Sequence, residues 1–117
     1  MATIRELEDQ MNQAIMSGKG MEAFEELYAD DCTMQENSEP PRVGKAACRD
    51  YEHKFFAMLE AFHGARVAHV AVDGDTTYSQ WDNDFTIKGM PRTAYAQITQ
   101  RQWRDGKIVA ERFFYKM

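Results

Sequence analysis

Apolar residues recur at helical spacing twice near the start of the chain. Ile4, Leu7, Met11, Ala14 and Ile15 form one stripe, opened by Thr3 and Glu6 at capping-box spacing and closed at Ser17-Gly18. Met21, Phe24, Leu27 and Tyr28 mark a second, shorter helix that ends at Asp30-Asp31. Residues 32–34 read as a short strand. Residues 35–42 read as a polar loop, because Pro40-Pro41 suits neither a helix interior nor a central strand. A third helix is predicted over about residues 45–62. It places Cys48, Tyr51, Leu59 and Phe62 within about 60° of Phe55, and Glu52 is the one polar entry on that face.

Further along, the period changes. Turn signals at His63-Gly64, Asp73-Gly74-Asp75, Lys88-Gly89-Met90-Pro91 and Asp105-Gly106 separate residues 66–72, 77–87, 93–104 and 107–115, which read as four strands of an antiparallel meander. The last two strands carry apolar residues on both faces. On the final strand Val109, Phe113 and Tyr115 share a face with Glu111, and Ile108, Ala110 and Phe114 share the other with Arg112. The expected fold class is therefore α+β, with three N-terminal helices packed on a strongly curved antiparallel sheet and closing an internal pocket over it. Helices cover only one face in so short a chain, so the convex face is expected to meet a second copy in a homodimer.

Composition narrows the function. The 117 residues make one domain, 1–117, which buries roughly 65% of its unfolded surface without needing a disulfide or metal. A net charge of -5, with basic residues scattered among acids, argues against nucleic acid and anionic membrane as partners. The N-terminus has neither a basic region followed by an apolar run nor a bilayer-length segment, and a cytoplasmic location is expected. Cys32 and Cys48 have no Cys-x-x-Cys context and are expected to be buried thiols, although a bridge between them would tie the first strand to the third helix. His53, His63 and His69 lack ligand spacing, so neither metal nor cofactor is expected.

Glu111 is the ionisable residue of most interest, because it falls among aromatic residues. A carboxyl desolvated in a closed pocket suits a general acid or base working near neutral pH. Alternatively it pairs with an arginine such as Arg101. A three-residue loop at residues 104–106 would set Glu111 opposite Thr99 and Phe113 opposite Gln97, whereas a two-residue turn would set Glu111 opposite Gln100. The first arrangement groups Tyr95, Gln97, Thr99, Glu111, Phe113 and Tyr115 on one face, joined by Trp81 and Asn83 from the neighbouring strand. Aromatic walls with a few convergent polar groups suit a small apolar or amphipathic ligand. The bland alternatives are a hydrated cavity and, for Trp81, a core residue with its N–H satisfied.

The order of elements carries a resemblance. So do the segments Leu27-Tyr28-Ala29-Asp30-Asp31-Cys32, Gly44-Lys45, Trp103-Arg104-Asp105-Gly106-Lys107-Ile108 and Glu111-Arg112-Phe113-Phe114-Tyr115. Together they make the chain resemble the SnoaL-like branch of the nuclear transport factor 2-like superfamily. The resemblance implies a cone-shaped α+β fold, a pocket between helices and concave sheet, and dimers through the convex face. Its cyclase-like and epoxide-hydrolase-like members carry a carboxylate where this chain has Phe113. The Arg-x-Asp pair of the hydrolases is replaced here by Trp81-Asp82-Asn83. The resemblance thus implies either a pocket protein without catalysis or a cofactor-independent isomerase or cyclase using Glu111.

Overall fold

The computed structural model describes residues 1–116. Helix α1 (Ile4–Met16) opens with the expected capping box: Glu6 N–H donates to the Thr3 hydroxyl, and Thr3 N–H donates to the Glu6 carboxylate at 3.0 Å. Helix α2 (Gly20–Leu27) runs directly into β1 (Tyr28–Glu36), and β2 (Arg42–Val43) precedes α3 (Lys45–Met58). The meander follows as β3 (Leu59–Asp73), β4 (Thr76–Ile87), β5 (Thr93–Arg104) and β6 (Lys107–Tyr115). All six strands join one sheet in the order β2-β1-β6-β5-β4-β3.

The α+β class stands, with two corrections to its layout. The third helix is not N-terminal to the sheet but lies between β2 and β3. Nor is the sheet wholly antiparallel, because β1 runs parallel to β6. A meander of four strands reverses direction three times, so β6 returns along β1 in the same sense after α3 has carried the chain to the far edge.

The third helix also stops earlier than expected, at Met58 rather than near residue 62, and β3 begins at Leu59. Leu59 pairs with Ile87 and Phe62 with Phe85, so both lie on one side of the sheet although they are three residues apart. The register shift between Leu59 and Ala61 explains this, since an extra residue in a strand converts spacing two into spacing three and imitates a helix. Further shifts between Phe62 and Gly64 and between Val67 and His69 bend the strand and curve the sheet.

The β5–β6 hairpin corrects the expected register in the same way. Asp105 and Gly106 both have positive φ, 52° and 76°, in a two-residue turn of the kind that matches strand twist. Arg104 pairs with Lys107 and Trp103 with Ile108, but beyond the bulge at Val109 Gln102 pairs with Ala110. Glu111 therefore stands opposite Arg101, not Thr99 or Gln100, while Phe113 faces Thr99 and Tyr115 faces Gln97. Ile108, not Val109, shares the inner face with Glu111. It is fully buried in a core with Met11, Phe24, Leu27, Tyr28, Cys32, Met34, Cys48 and Trp103. Cys32 and Cys48 are free, and burial pushes the Cys48 thiol up to about 12.

Candidate functional site

Odd-numbered residues of β4 and β5 face the helices, and the concave surface they form has two halves. In the first half α1 seals the sheet with a polar cluster. Arg101 Nε donates to Glu111 Oε2 at 2.7 Å, and its Nη1 donates to Glu8 Oε2 at 3.0 Å and to Asn12 Oδ1 at 2.8 Å. Thr77 and Ser79 hydroxyls donate to Glu8, Asn12 donates to Ser79, and Trp103 Nε1 donates to Thr77 at 3.0 Å. The Tyr28 hydroxyl completes the cluster by donating to Glu111 at 2.5 Å. Arg101, Glu8 and Glu111 are all at least 97% buried.

Burial alone would drive Arg101 toward its neutral form. The charges of Glu111 and Glu8 outweigh that and hold its pKa above the ordinary arginine value. Tyr28 is raised as well, first by burial and then by the Glu111 charge. Glu111 thus takes the arginine pairing that the sequence allowed. Glu8 and Asn12 went unnoticed in the sequence, although Glu8 sits four residues after Ile4 and three before Met11, on the apolar stripe of α1.

The second half, beyond α1, is only partly covered. Tyr95, Gln97, Asn83, Phe113 and Tyr115 are half-buried here, whereas Trp81 and Thr99 are buried at its floor. Cross-strand pairing brings the predicted residues together: Trp81 opposite Gln97, Asn83 opposite Tyr95, Ser79 opposite Thr99. Gln97 donates to the Thr99 hydroxyl at 3.0 Å. A row of rings crosses this half from helix to sheet. Phe55 meets Phe85 at 5.5 Å between centroids, Phe85 meets Tyr95 at 5.5 Å, and Tyr95 meets Tyr115 at 5.6 Å. The first two contacts are edge-to-face, a geometry that aromatic quadrupoles favour.

Helix α3 supplies the opposite wall. Arg42 lies 3.5 Å over the Tyr51 ring and donates to Glu36 at 2.9 Å, and Glu36 faces the hydroxyls of Tyr51 and Tyr115. Burial first, then Glu36, pushes Tyr115 up to about 12. One turn after buried Cys48 and one turn before Phe55 comes Glu52, half-buried and without a hydrogen bond to its carboxyl among the described residues. Burial, followed by the charges of Glu111 and Glu36, raises this carboxyl to about 8, against a smaller opposing effect of Arg42.

Elsewhere, Asn83 and Tyr95 also border a recess of about 420 Å³ at the β3 margin, together with His63, Arg66, Asp82 and Asp84. Asp82 and Asp84 are ion-paired there with Arg66 and Arg92, both at 2.7 Å. Among the described residues no cluster of His, Cys, Asp or Glu is arranged to hold a metal ion, and no helix is long and apolar enough to cross a membrane.

Three helices backing a curved sheet, with one half of the concave face sealed and the other half-open, define an α+β protein with a cystatin-like fold. Within that class the chain belongs to the SnoaL-like domain family, whose profile matches residues 2–115. A candidate SnoaL-like polyketide cyclase from Mesorhizobium loti has a similar structure at 28% identity, with a TM-score of 0.88 over 97% of this chain and 100% of that one. A cystatin-like protein of unknown function from Xanthomonas campestris has a TM-score of 0.88 at 16% identity, over 99% and 92% of the two chains. A protein from Catenulispora acidiphila with a ketosteroid isomerase-like fold, in complex with trimethylamine, has a TM-score of 0.80 at 20% identity, over 98% and 88%. No curated protein matches the sequence.

Proposed function

We propose that this SnoaL-like protein binds a small, largely apolar or amphipathic molecule in the half-open mouth between α3 and β4–β6. The observation that carries this reading is the row Phe55, Phe85, Tyr95 and Tyr115, contiguous across the concave face, in which Phe85 is buried and Phe55, Tyr95 and Tyr115 are only half-buried, with Asn83 and Gln97 beside it. Apolar walls supply most of the binding energy and a few amides fix orientation. Trp81 and Thr99 form the floor, and Phe113 a side wall. Compact amines fall within this class because their methyl groups need the same aromatic walls, and the Catenulispora protein is described in complex with trimethylamine.

A second reading, a cofactor-independent isomerase or cyclase in which Glu111 transfers a proton, is favoured by the 28% likeness to the Mesorhizobium protein. Against it, both Arg101 and Tyr28 donate to the same Glu111 oxygen, which supports a positioning role for this residue. We also propose a homodimer through the convex sheet face and a cytoplasmic location. A thermal-shift and NMR screen of small apolar acids, ketones and sterols tests the binding reading. Hits should shift amides of β5 and α3 and should weaken at least tenfold in Tyr95→Ala. Hits that ignore Tyr95→Ala would move the site elsewhere. Turnover of any hit that fell in Glu111→Gln, with the fold intact, would favour the second reading.

A further inference from the structure

Register sets Arg42 at a corner of the mouth. Arg42 of β2 stands opposite Met34 of β1, Met34 opposite Glu111 of β6, and Glu111 opposite Arg101 of β5, so all four turn inward in one row. The next inward row holds Glu36, Phe113 and Thr99, and the one after it Tyr115 and Gln97, each row roughly 7 Å nearer the mouth than the last. The Arg42 guanidinium reaches from its own row to the second, where Nη2 donates to Glu36 at 2.9 Å, and it lies 3.5 Å over the Tyr51 ring of α3. It therefore occupies the β1 corner of the mouth, beside Phe113 and one row from Tyr115.

Nε and Nη2 share one edge of a guanidinium, and their N–H bonds point the same way. Elsewhere in the molecule arginines give both to a carboxylate: Arg49 to Glu25 at 2.5 and 2.8 Å, and Arg92 to Asp84 at 3.0 and 2.7 Å. Arg42 gives only Nη2. Its Nε is sealed from solvent and, among the described residues, meets no acceptor. A buried donor of a charged group costs more unpaired than a neutral one, so an acceptor that a ligand brings to this corner gains what the fold leaves unmade. An ionised acceptor would meet Glu36 beside it and Glu52 above it on α3, two carboxyls already close enough to repel each other. An uncharged oxygen meets no such opposition.

We propose that Arg42 is the polar anchor of the mouth: its Nε–H donates to an uncharged carbonyl oxygen of a molecule whose apolar body packs along Phe113 and Tyr115. The inference rests on the mouth being a ligand site and adds the residue that orients the ligand and the group it reads. Three probes of one shape test it by titration and NMR: acetophenone, ethylbenzene, which lacks the oxygen, and benzoate, which carries a negative charge. Acetophenone should bind most tightly. Arg42→Lys keeps a cation near Glu36 but loses the guanidinium edge, and should weaken acetophenone roughly tenfold while leaving ethylbenzene unchanged. In the unmodified protein the Arg42 Nε–H resonance in nitrogen-15 correlation spectra gives an independent readout: it should move downfield and exchange more slowly with water when acetophenone is added, and stay in place with ethylbenzene. A resonance already protected in the free protein and unmoved by acetophenone would show that water or a neighbouring carboxylate fills the donor, and would overturn the anchor. So would benzoate binding more tightly than acetophenone, or an equal loss of acetophenone and ethylbenzene in Arg42→Lys. In each of these cases the mouth stands as a ligand site through its rings. Failure of all three probes to shift the amides of β5 and α3 would overturn both.

Discussion

Glu111 and Glu52 show how environment sorts two carboxyls of one chain into different roles. Glu111 is almost wholly buried yet receives a guanidinium and a phenol, so its charge is compensated where it stands. Glu52 keeps some contact with water but receives no hydrogen bond among the described residues, and burial with two neighbouring carboxylates makes its ionised form costly. The consequence appears in stability. Glu52 binds its proton more tightly folded than unfolded, so the folded form holds more protons between about pH 4.5 and 8 and stability falls as pH rises through that window. The loss attributable to this group is roughly 3 kcal/mol between pH 5 and 8. Glu52→Gln removes the titrating group while keeping its shape, so in urea denaturation the variant should gain on the parent steadily as pH is raised from 5 to 8. A constant difference between the two would mean that Glu52 is ionised in the fold like any surface glutamate.

Among the elements, the β5–β6 hairpin sets which side chains enter the concave face. Its two-residue turn needs left-handed backbone at both positions, and Gly106 at φ 76° adopts it without a Cβ clash. Nothing crowds the added methyl of Gly106→Ala, so the expected cost is backbone strain alone, roughly 1–2 kcal/mol in chemical denaturation, with ligand binding unchanged. A loss of binding greater than the loss of stability would show that the turn does more than close the hairpin. Asp105-Gly106 made this turn legible in the sequence, as Thr3 and Glu6 did for the start of α1. The bulge at Val109 was not, because nothing in Ile108-Val109-Ala110 distinguishes a regular strand from one with an extra residue. The inner-face grouping of Tyr95, Gln97, Thr99, Glu111, Phe113 and Tyr115 survived, since the bulge slid β6 along β5 by a further whole residue beyond the two-residue turn, keeping inward residues opposite inward ones. What it changed was the partner of Glu111. The same blindness extended α3 past Met58, where bulged spacing in β3 passes for helical periodicity, and it hid Glu8, whose purpose depends on an arginine 93 positions away.

For the whole molecule, the surface that bears on assembly is the convex one, where large apolar side chains are exposed. Ile98 and Phe114 form a cross-strand pair there, each 37% exposed, with Tyr78 on the adjoining strand 36% exposed. Ala94 and Ala96 continue the patch along β5, and Gln35, Gln100 and Gln102 flank it around a shallow recess of about 150 Å³. An amide both donates and accepts, so glutamines can satisfy one another across a two-fold axis, where a lysine or glutamate would meet its own charge. Arg112 lies 4.7 Å over the Phe114 ring and donates to the Asn37 carbonyl at 2.8 Å, while Arg66 and Arg92, beside Ala96 and Ala94, are paired with Asp82 and Asp84. These features suit a second copy of the chain better than an unrelated charged partner. Light scattering at micromolar concentration should therefore give about twice the chain mass of 13.5 kDa. Ile98→Glu places two like charges near the axis and should yield a folded monomer, with the mouth on the opposite face still able to bind ligand. A monomeric parent protein would leave the convex face as exposed sheet, and a variant that stayed dimeric would place the interface on another surface.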